Sequence, residues 1–400
     1  MKARHCFFLI PFLSGSLWVA ARAADWPQWR GPQRNGISSE VGWVWQWGKS
    51  GPKRLWTANV GEGHSSVVAV GSRIYTMGNV NNQDIVWCLN AGTGKMIWKY
   101  RYPCPAGNYA GSRATPTVEG KNVYILSRAG LALCLDAATG RKVWRRDLVR
   151  HTGATVPKWG FASSPLVEGN LVIYNVGDAG AALDKRTGVL QWHSGTGLAS
   201  YASPVAYTIG QQRGVAIFPA SGIVAVNPND GRRLWQFSWA WNDPYQVNAA
   251  DPIFAGENMF ISSGYNRGCV LLRIGGGQPA VVYQNRNMRN HINTCVLLDG
   301  FLYGNDQSTL KCIEFKTGQE RWQNGRIGKG GLIAAGKLIV LSERGELIIA
   351  RATPDRYVEL ARAKVIPGTC YAPPTLAGGR IFCRNRAGDV VCLDVRSNRI

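Results

Sequence analysis

The sequence predicts an all-β fold, an eight-bladed β-propeller of four-stranded antiparallel blades whose ring is closed by an N-terminal outer strand. Three observations point there. A turn-plus-Trp unit recurs about every 43 residues, and a period of that length marks repeat architectures. The composition suits short strands and tight turns: 48 Gly in 400 residues, 12%, exceed the usual share of roughly 7%, and 16 Trp are present. Finally, the last repeat ends without its outer strand, whereas an unpartnered strand stands near the start. With 45% hydrophobic and 18% charged residues the chain can bury a core and is not a disordered polymer.

In chain order, residues 1–23 come first. Lys2 and Arg4 precede an apolar run from Phe7 to Ala21 that is broken by Pro11 and Gly15, and Ala21-Arg22-Ala23 follows as a small-residue cleavage site. The run falls short of the ~20 residues of a membrane span, so it reads as a signal peptide removed before Ala24. Cys6 lies ahead of the apolar run, so no lipobox is formed. The expected product is periplasmic or secreted, not transmembrane, and monomeric. Losing Lys2, Arg4 and Arg22 leaves 43 basic against 24 acidic side chains, a net charge of +19. Such a field favours anionic surfaces, and export argues against nucleic acid. Residues 24–52 carry Trp26, Trp29, Trp43, Trp45 and Trp47 among Gly, Pro and Arg, and are expected to form an ordered strap on the propeller.

Residues 53–400 hold the repeats. Five eleven-residue stretches, ending on Trp98, Trp144, Trp192, Trp235 and Trp322, carry Gly94, Gly140, Gly188, Gly231 and Gly318 at their seventh place. Gly there admits positive φ, and an Asn, Asp or Thr just before it can hydrogen-bond the turn, so each stretch is a hairpin ending on a Trp-bearing strand. Weaker copies end on Tyr283 and Leu360 and at the C-terminus. A second series of eight strand-turn-strand units lies about 25 residues upstream of each turn. Each repeat thus holds two hairpins, the content of one blade. The orphan strand around Trp56 then completes the final blade, removing an edge that would invite aggregation.

The unit A/C-x-D-x-x-T-G-x-x-x-W resembles the blade signature of the quinoprotein-like (PQQ-repeat) propeller family, and five good and three degenerate copies cover residues 53–400. The resemblance implies one of two functions. One branch holds dehydrogenases that place pyrroloquinoline quinone (PQQ) and Ca²⁺ at the channel mouth under a disulfide between adjacent cysteines. The other is non-enzymatic, typified by the propeller of the bacterial outer-membrane β-barrel assembly machinery. This chain has no Cys-Cys pair and no C-x-x-C-H haem site, and its repeats are close to minimal length. The expectation is therefore a non-catalytic binding platform of the cell envelope with an envelope protein or small ligand as partner and no cofactor. The alternative is a PQQ-dependent dehydrogenase acting on alcohols or sugars.

Residues just before each inner strand should line the channel mouth: Glu62 and His64, Arg113, Trp159, Tyr201, Asn248 and Asp251, Arg289, Asn290 and His291, Lys329, and Cys370 with Tyr371. Polar, cationic and aromatic groups converging on one face suit a small-molecule or peptide site. Under the dehydrogenase alternative, Asp251 or Glu62 would be the base and Arg113 the partner of the quinone's oxygens. His64 and His291 stand in different blades without metal-ligand spacing, so no metal site is expected. The recurring Trp residues, by contrast, are expected as core between blades. Of nine cysteines beyond Cys6, four occupy one blade position and should be buried, while Cys104, Cys295 and Cys370 near the rim are candidates for a disulfide.

Overall fold

The computed structural model describes residues 24–48, 50–241, 246–275, 277–325 and 327–397. The expected signal peptide lies outside these residues, as does the terminal turn at Asn398. Eight four-stranded antiparallel sheets are formed, and the inner strands of successive sheets touch around a central channel. Blade 1 comprises Val68–Val70, Arg73–Val80, Gln83–Asn90 and Met96–Pro103. Blades 2 to 7 occupy residues 117–147, 166–193, 205–238, 253–285, 296–324 and 331–364. Blade 8 takes three strands from residues 375–394 and its outer strand from Lys53–Asn59, which pairs antiparallel with Asp389–Asp394. One helical turn, Leu148–Thr152, is capped by Asp147.

Blade 2 shows why the eleven-residue unit recurs. Asp136 Oδ1 accepts the Thr139 hydroxyl at 2.6 Å and the N–H groups of Ala138 and Thr139 at 3.1 and 2.8 Å, which holds its carboxyl below the usual range. Gly140 closes the turn at φ 73°. The ring of Trp98, from the preceding blade, lies on this turn: its indole N–H donates to Ala137 O at 3.0 Å, and a Cβ on Gly140 would stand 2.6 Å from the ring. Trp98 thus docks into the turn of the next blade. Trp56, Trp144 and Trp192 repeat the contact with Gly94, Gly188 and Gly231, and Tyr283 repeats it with Gly318. Trp322 donates to Thr353 O of the next blade. Trp235 bonds the Tyr207 hydroxyl of its own blade instead.

At the channel, side chains at one place in successive inner strands link the blades. The N–H of Ser66 donates to Thr115 Oγ1, Thr115 to Ser164 Oγ, Ser164 to Ser203 Oγ, Ser203 to Asp251 Oδ1 and Asp251 to Thr294 Oγ1, all at 2.7–3.0 Å. Asn293 Nδ2 continues the circuit to Gly330 O and Tyr371 O, and Ser66 Oγ reaches Pro373 O. A second seam joins blade 8 to blade 1. Arg384, 2% exposed, donates to Ser65 O, Gly61 O and Thr76 Oγ1 across it, and burial lowers its pKa to about 9.

The Trp-rich segment is threaded across the inner strands as a plug. Trp26 forms an antiparallel bridge with Ala69 of blade 1, and Pro27 O accepts from Val118 of blade 2. Arg34 donates to Ser164 O and Pro165 O at blade 3, and Arg30 donates to Cys295 O at blade 6. Ile37 bridges Ala334 of blade 7, and Glu40 accepts from Gly378 and Gly379 of blade 8. The expectation of a rim disulfide is overturned: Cys104, Cys295 and Cys370 are free and buried in separate connections, and burial pushes each thiol up to about 12.

Replacing Trp98 with Ala should cost about 3–5 kcal/mol in urea unfolding. Gly140→Ala should cost roughly 2–4 kcal/mol, since it adds left-handed strain to overpacking against Trp98. A thiol reagent should find no fast-reacting cysteine in the native protein, and all nine described cysteines after unfolding without reductant.

Candidate functional site

The inner strands begin on one face, and there the channel opens as a cup of about 300 Å³. All eight blades contribute to its wall. Of the thirteen residues expected at the rim, His64, Arg113, Trp159, Tyr201, Asp251, His291, Lys329 and Tyr371 line it. The other five do not, Cys370 being fully buried beside Tyr371. Glu62 is exposed and paired through its backbone to Asn79, and Arg289 is turned aside into an ion pair with Asp306 at 2.7 Å. Asn248 and Asn290 are buried behind the wall: Asn248 holds Pro219 O and the Ser263 hydroxyl, while Asn290 holds Asn305 O.

Trp29, Tyr109, Tyr265 and Asn293 also line the cup, although none was expected there. Trp29 rises from the plug, whose path across the channel no repeat could reveal. Tyr265 sits in the turn between the second and third strands of blade 5, which reaches the same face as the inner-strand starts. Tyr109 and Asn293 lie within four residues of Arg113 and His291, so a wider window around each inner-strand start would have found them.

The floor is set by charge. Asp251, 3% exposed, accepts Ser203 N–H at 2.7 Å and the Trp29 indole N–H at 2.7 Å, and faces Arg30 at 3.9 Å. Burial pushes its carboxyl up, opposed by Arg30 and Arg34, and lowers Arg34 to about 10. A buried ion group of this kind is retained only when its lone pairs and donors are matched.

Two imidazoles face each other's half of the wall. His64 stacks on Tyr371 with centroids 5.6 Å apart, and burial followed by Arg113, Arg384 and Arg386 lowers it to about 3. His291 meets Tyr265 edge-on at 4.6 Å and is lowered to about 4, by burial and then by Lys329. Both rings are neutral at physiological pH, each with one donor and one acceptor nitrogen. Arg113 donates to Gly111 O and Tyr109 O, and burial brings it down to about 10. Among the described residues, no carboxylate lies within ion-pair distance of Arg113 or Lys329. Trp159 and Tyr201 tilt against one another at 5.7 Å on the opposite wall.

The donor set does not suit a calcium ion. Both oxygens of Asp251 are engaged with the ring and the plug, Glu62 points away, and Glu343 holds the Lys329 N–H and the Tyr371 hydroxyl. Among the described residues no three His, Cys, Asp or Glu side chains gather as a metal site. Neither Asp251 nor Glu62 is placed as a base at a bound quinone. No helix among the described residues is long and apolar enough to cross a membrane.

Comparison with known proteins agrees with this architecture. The family model described as outer membrane protein assembly factor BamB matches residues 82–324. The protein of that name from Burkholderia pseudomallei is 24% identical over 358 residues, covering 84% of this chain and 87% of its own length. The crystal structure of BamB from Moraxella catarrhalis superposes with a TM-score of 0.65 at 16% identity, covering 86% of this chain and 99% of its own. Quinohemoprotein alcohol dehydrogenase from Comamonas testosteroni superposes with a TM-score of 0.68 at 14% identity, covering 94% of this chain and 81% of its own.

Asp251→Asn should cost about 3–5 kcal/mol in denaturant unfolding, because it leaves Arg30 and Arg34 buried without their counter-charge. The two depressed histidines should also destabilise the fold in acid. Between about pH 6.5 and pH 3–4 the unfolded chain takes up protons that folded His64 and His291 do not, so stability falls as pH drops through that window. In a His64→Asn, His291→Asn double variant the same pH series should be flatter.

Proposed function

The chain belongs to the family of the outer membrane protein assembly factor BamB, and from that premise we propose that it is an exported, non-catalytic binding platform of the bacterial cell envelope. The observation that carries this reading is the cup. Eight blades bring aromatic and cationic side chains to one cavity, and the plug closes its floor. Its carboxylate, Asp251, serves the architecture, which leaves aromatic and cationic side chains and two neutral imidazoles to face a ligand. The partner is an envelope protein or small ligand held in the cup, and the protein acts as a monomer after removal of residues 1–23. Its positive charge favours work near anionic surfaces.

A second surface is favoured by one observation. Most outer strands carry Lys, Arg or Glu, which guard an edge against strand addition. The outer strand of blade 5, Ala280–Asn285, carries none, and Val281 and Val282 are 52% and 43% exposed. An extended segment of a partner protein could add to that edge.

Two measurements test the platform reading. A photo-crosslinking residue at position 109 should capture an envelope component in the producing cell, whereas capture from position 281 alone would move the site to the blade edge. Purified protein given PQQ and Ca²⁺ should show no dye-linked oxidation of alcohols or sugars. Turnover that is lost in Arg113→Ala would replace the platform with the dehydrogenase.

A further inference from the structure

We propose that the cup recognises a carboxylated sugar, a uronic acid at the end of an acidic saccharide; this rests on the cup being the recognition site. The plug makes the cavity blind, so a polymer cannot thread through it and presents an end or a single unit. At about 300 Å³ the cup is at the small end of ligand cavities, which run roughly 300–1,000 Å³, and is suited to a short saccharide.

The chemistry of the wall selects among small groups. An extended peptide needs rows of free backbone N–H and C=O groups, and at the channel mouth the N–H groups of Ser66, Thr115, Ser164, Ser203 and Asp251 are spent on links between blades. Sugar hydroxyls both donate and accept, and so do the neutral imidazoles of His64 and His291, on different sides of the cavity. The Nδ1 atom of His291 is buried and has no partner among the described groups. A hydroxyl there would satisfy it. The C–H face of a sugar ring packs on flat aromatic surface, and the Tyr109 ring at the wall has Arg386 5.1 Å over one face, which leaves its other face for a sugar.

The charge balance adds the carboxylate. Arg113 and Lys329 enter from blades 2 and 7, with no carboxylate in ion-pair range among the described residues, and Arg386 sits 5.1 Å over the Tyr109 ring. Asp251 opposes them little, being neutralised from below by Arg30 and Arg34; Glu343 behind the Lys329 wall is a carboxylate set against these cations near the cup, and its oxygens are taken by the Lys329 N–H and the Tyr371 hydroxyl. An unfilled cationic wall over a neutralised floor favours an anion, and Arg113 can still offer N–H groups to a carboxylate.

The test is titration of the processed full-length protein with digalacturonic acid, followed by Trp fluorescence and calorimetry at low and high salt. Saturable binding that weakens with salt is expected, about 10- to 100-fold tighter than for neutral digalactose. Lys329→Ala should weaken digalacturonate binding to a similar degree. It removes no side-chain hydrogen bond of the fold among the described residues, whereas Arg113→Ala also frees Gly111 O and Tyr109 O. Equal binding of the neutral sugar would overturn the proposal, and so would a glutamate-rich peptide that binds more tightly and competes. If position 109 crosslinks in the cell but digalacturonate does not bind, the sugar assignment fails and the platform stands. If neither occurs, both fail.

Discussion

Asp251 is the interaction on which the ring and the cup both depend. One of its oxygens accepts Ser203 N–H as the blade-5 member of the circuit that links successive inner strands. The other accepts the indole N–H of Trp29, and Arg30 stands beside it. Where the neighbouring blades place Ser or Thr, blade 5 thus places a charge, and that charge draws two guanidiniums of the plug into the channel. Burying three ionised groups is costly unless each is matched. Arg30 and Arg34 bond the carbonyls of Cys295, Pro165 and Ser164 beside Asp251, with Arg34 Nε left without a hydrogen-bond partner among the described residues, so the plug reaches blades that would otherwise meet only through their neighbours.

The outer wall is organised differently, by a contact repeated from blade to blade. A Trp enters the turn of the next blade, where a left-handed Gly leaves room for the ring and a nearby carbonyl accepts the indole N–H. That coupling of Gly and Trp across two blades is why the repeat stood out in the sequence, and with it the eight blades and the closing strand at Lys53–Asn59. Where the turn chemistry fades, in blade 5, Trp235 turns to its own blade. The fold persists at that point because strand pairing does not need the motif.

The cup was legible only in part. Residues ahead of each inner strand do reach the channel mouth, but the backbone position does not say whether a side chain faces the cavity or its wall. Asn248 and Asn290 point into the wall, where buried carbonyls need donors, and Arg289 follows the buried charge of Asp306. Trp29 was hidden for another reason: it belongs to a segment with no repeat and no periodicity, whose position is set by long-range pairing with Asp251 across 222 residues of sequence. The sequence placed Asp251 at the rim, with a base role only under the dehydrogenase alternative; the structure puts it in the cup wall with both oxygens bonded to the ring and the plug.

Together these features make a wheel whose channel is stoppered by the plug and opens at one face as a cup lined by His64, His291, Arg113, Lys329 and aromatic rings. Hydrogen–deuterium exchange on the full processed chain tests most directly whether the plug is integral. The amides of Trp26, Ser38 and Ala69 should exchange as slowly as the inner strands, and Asp251→Ala should release the plug amides while the outer strands stay protected. Fast exchange of Trp26 and Ser38 in the unaltered protein would contradict a floor built on Asp251.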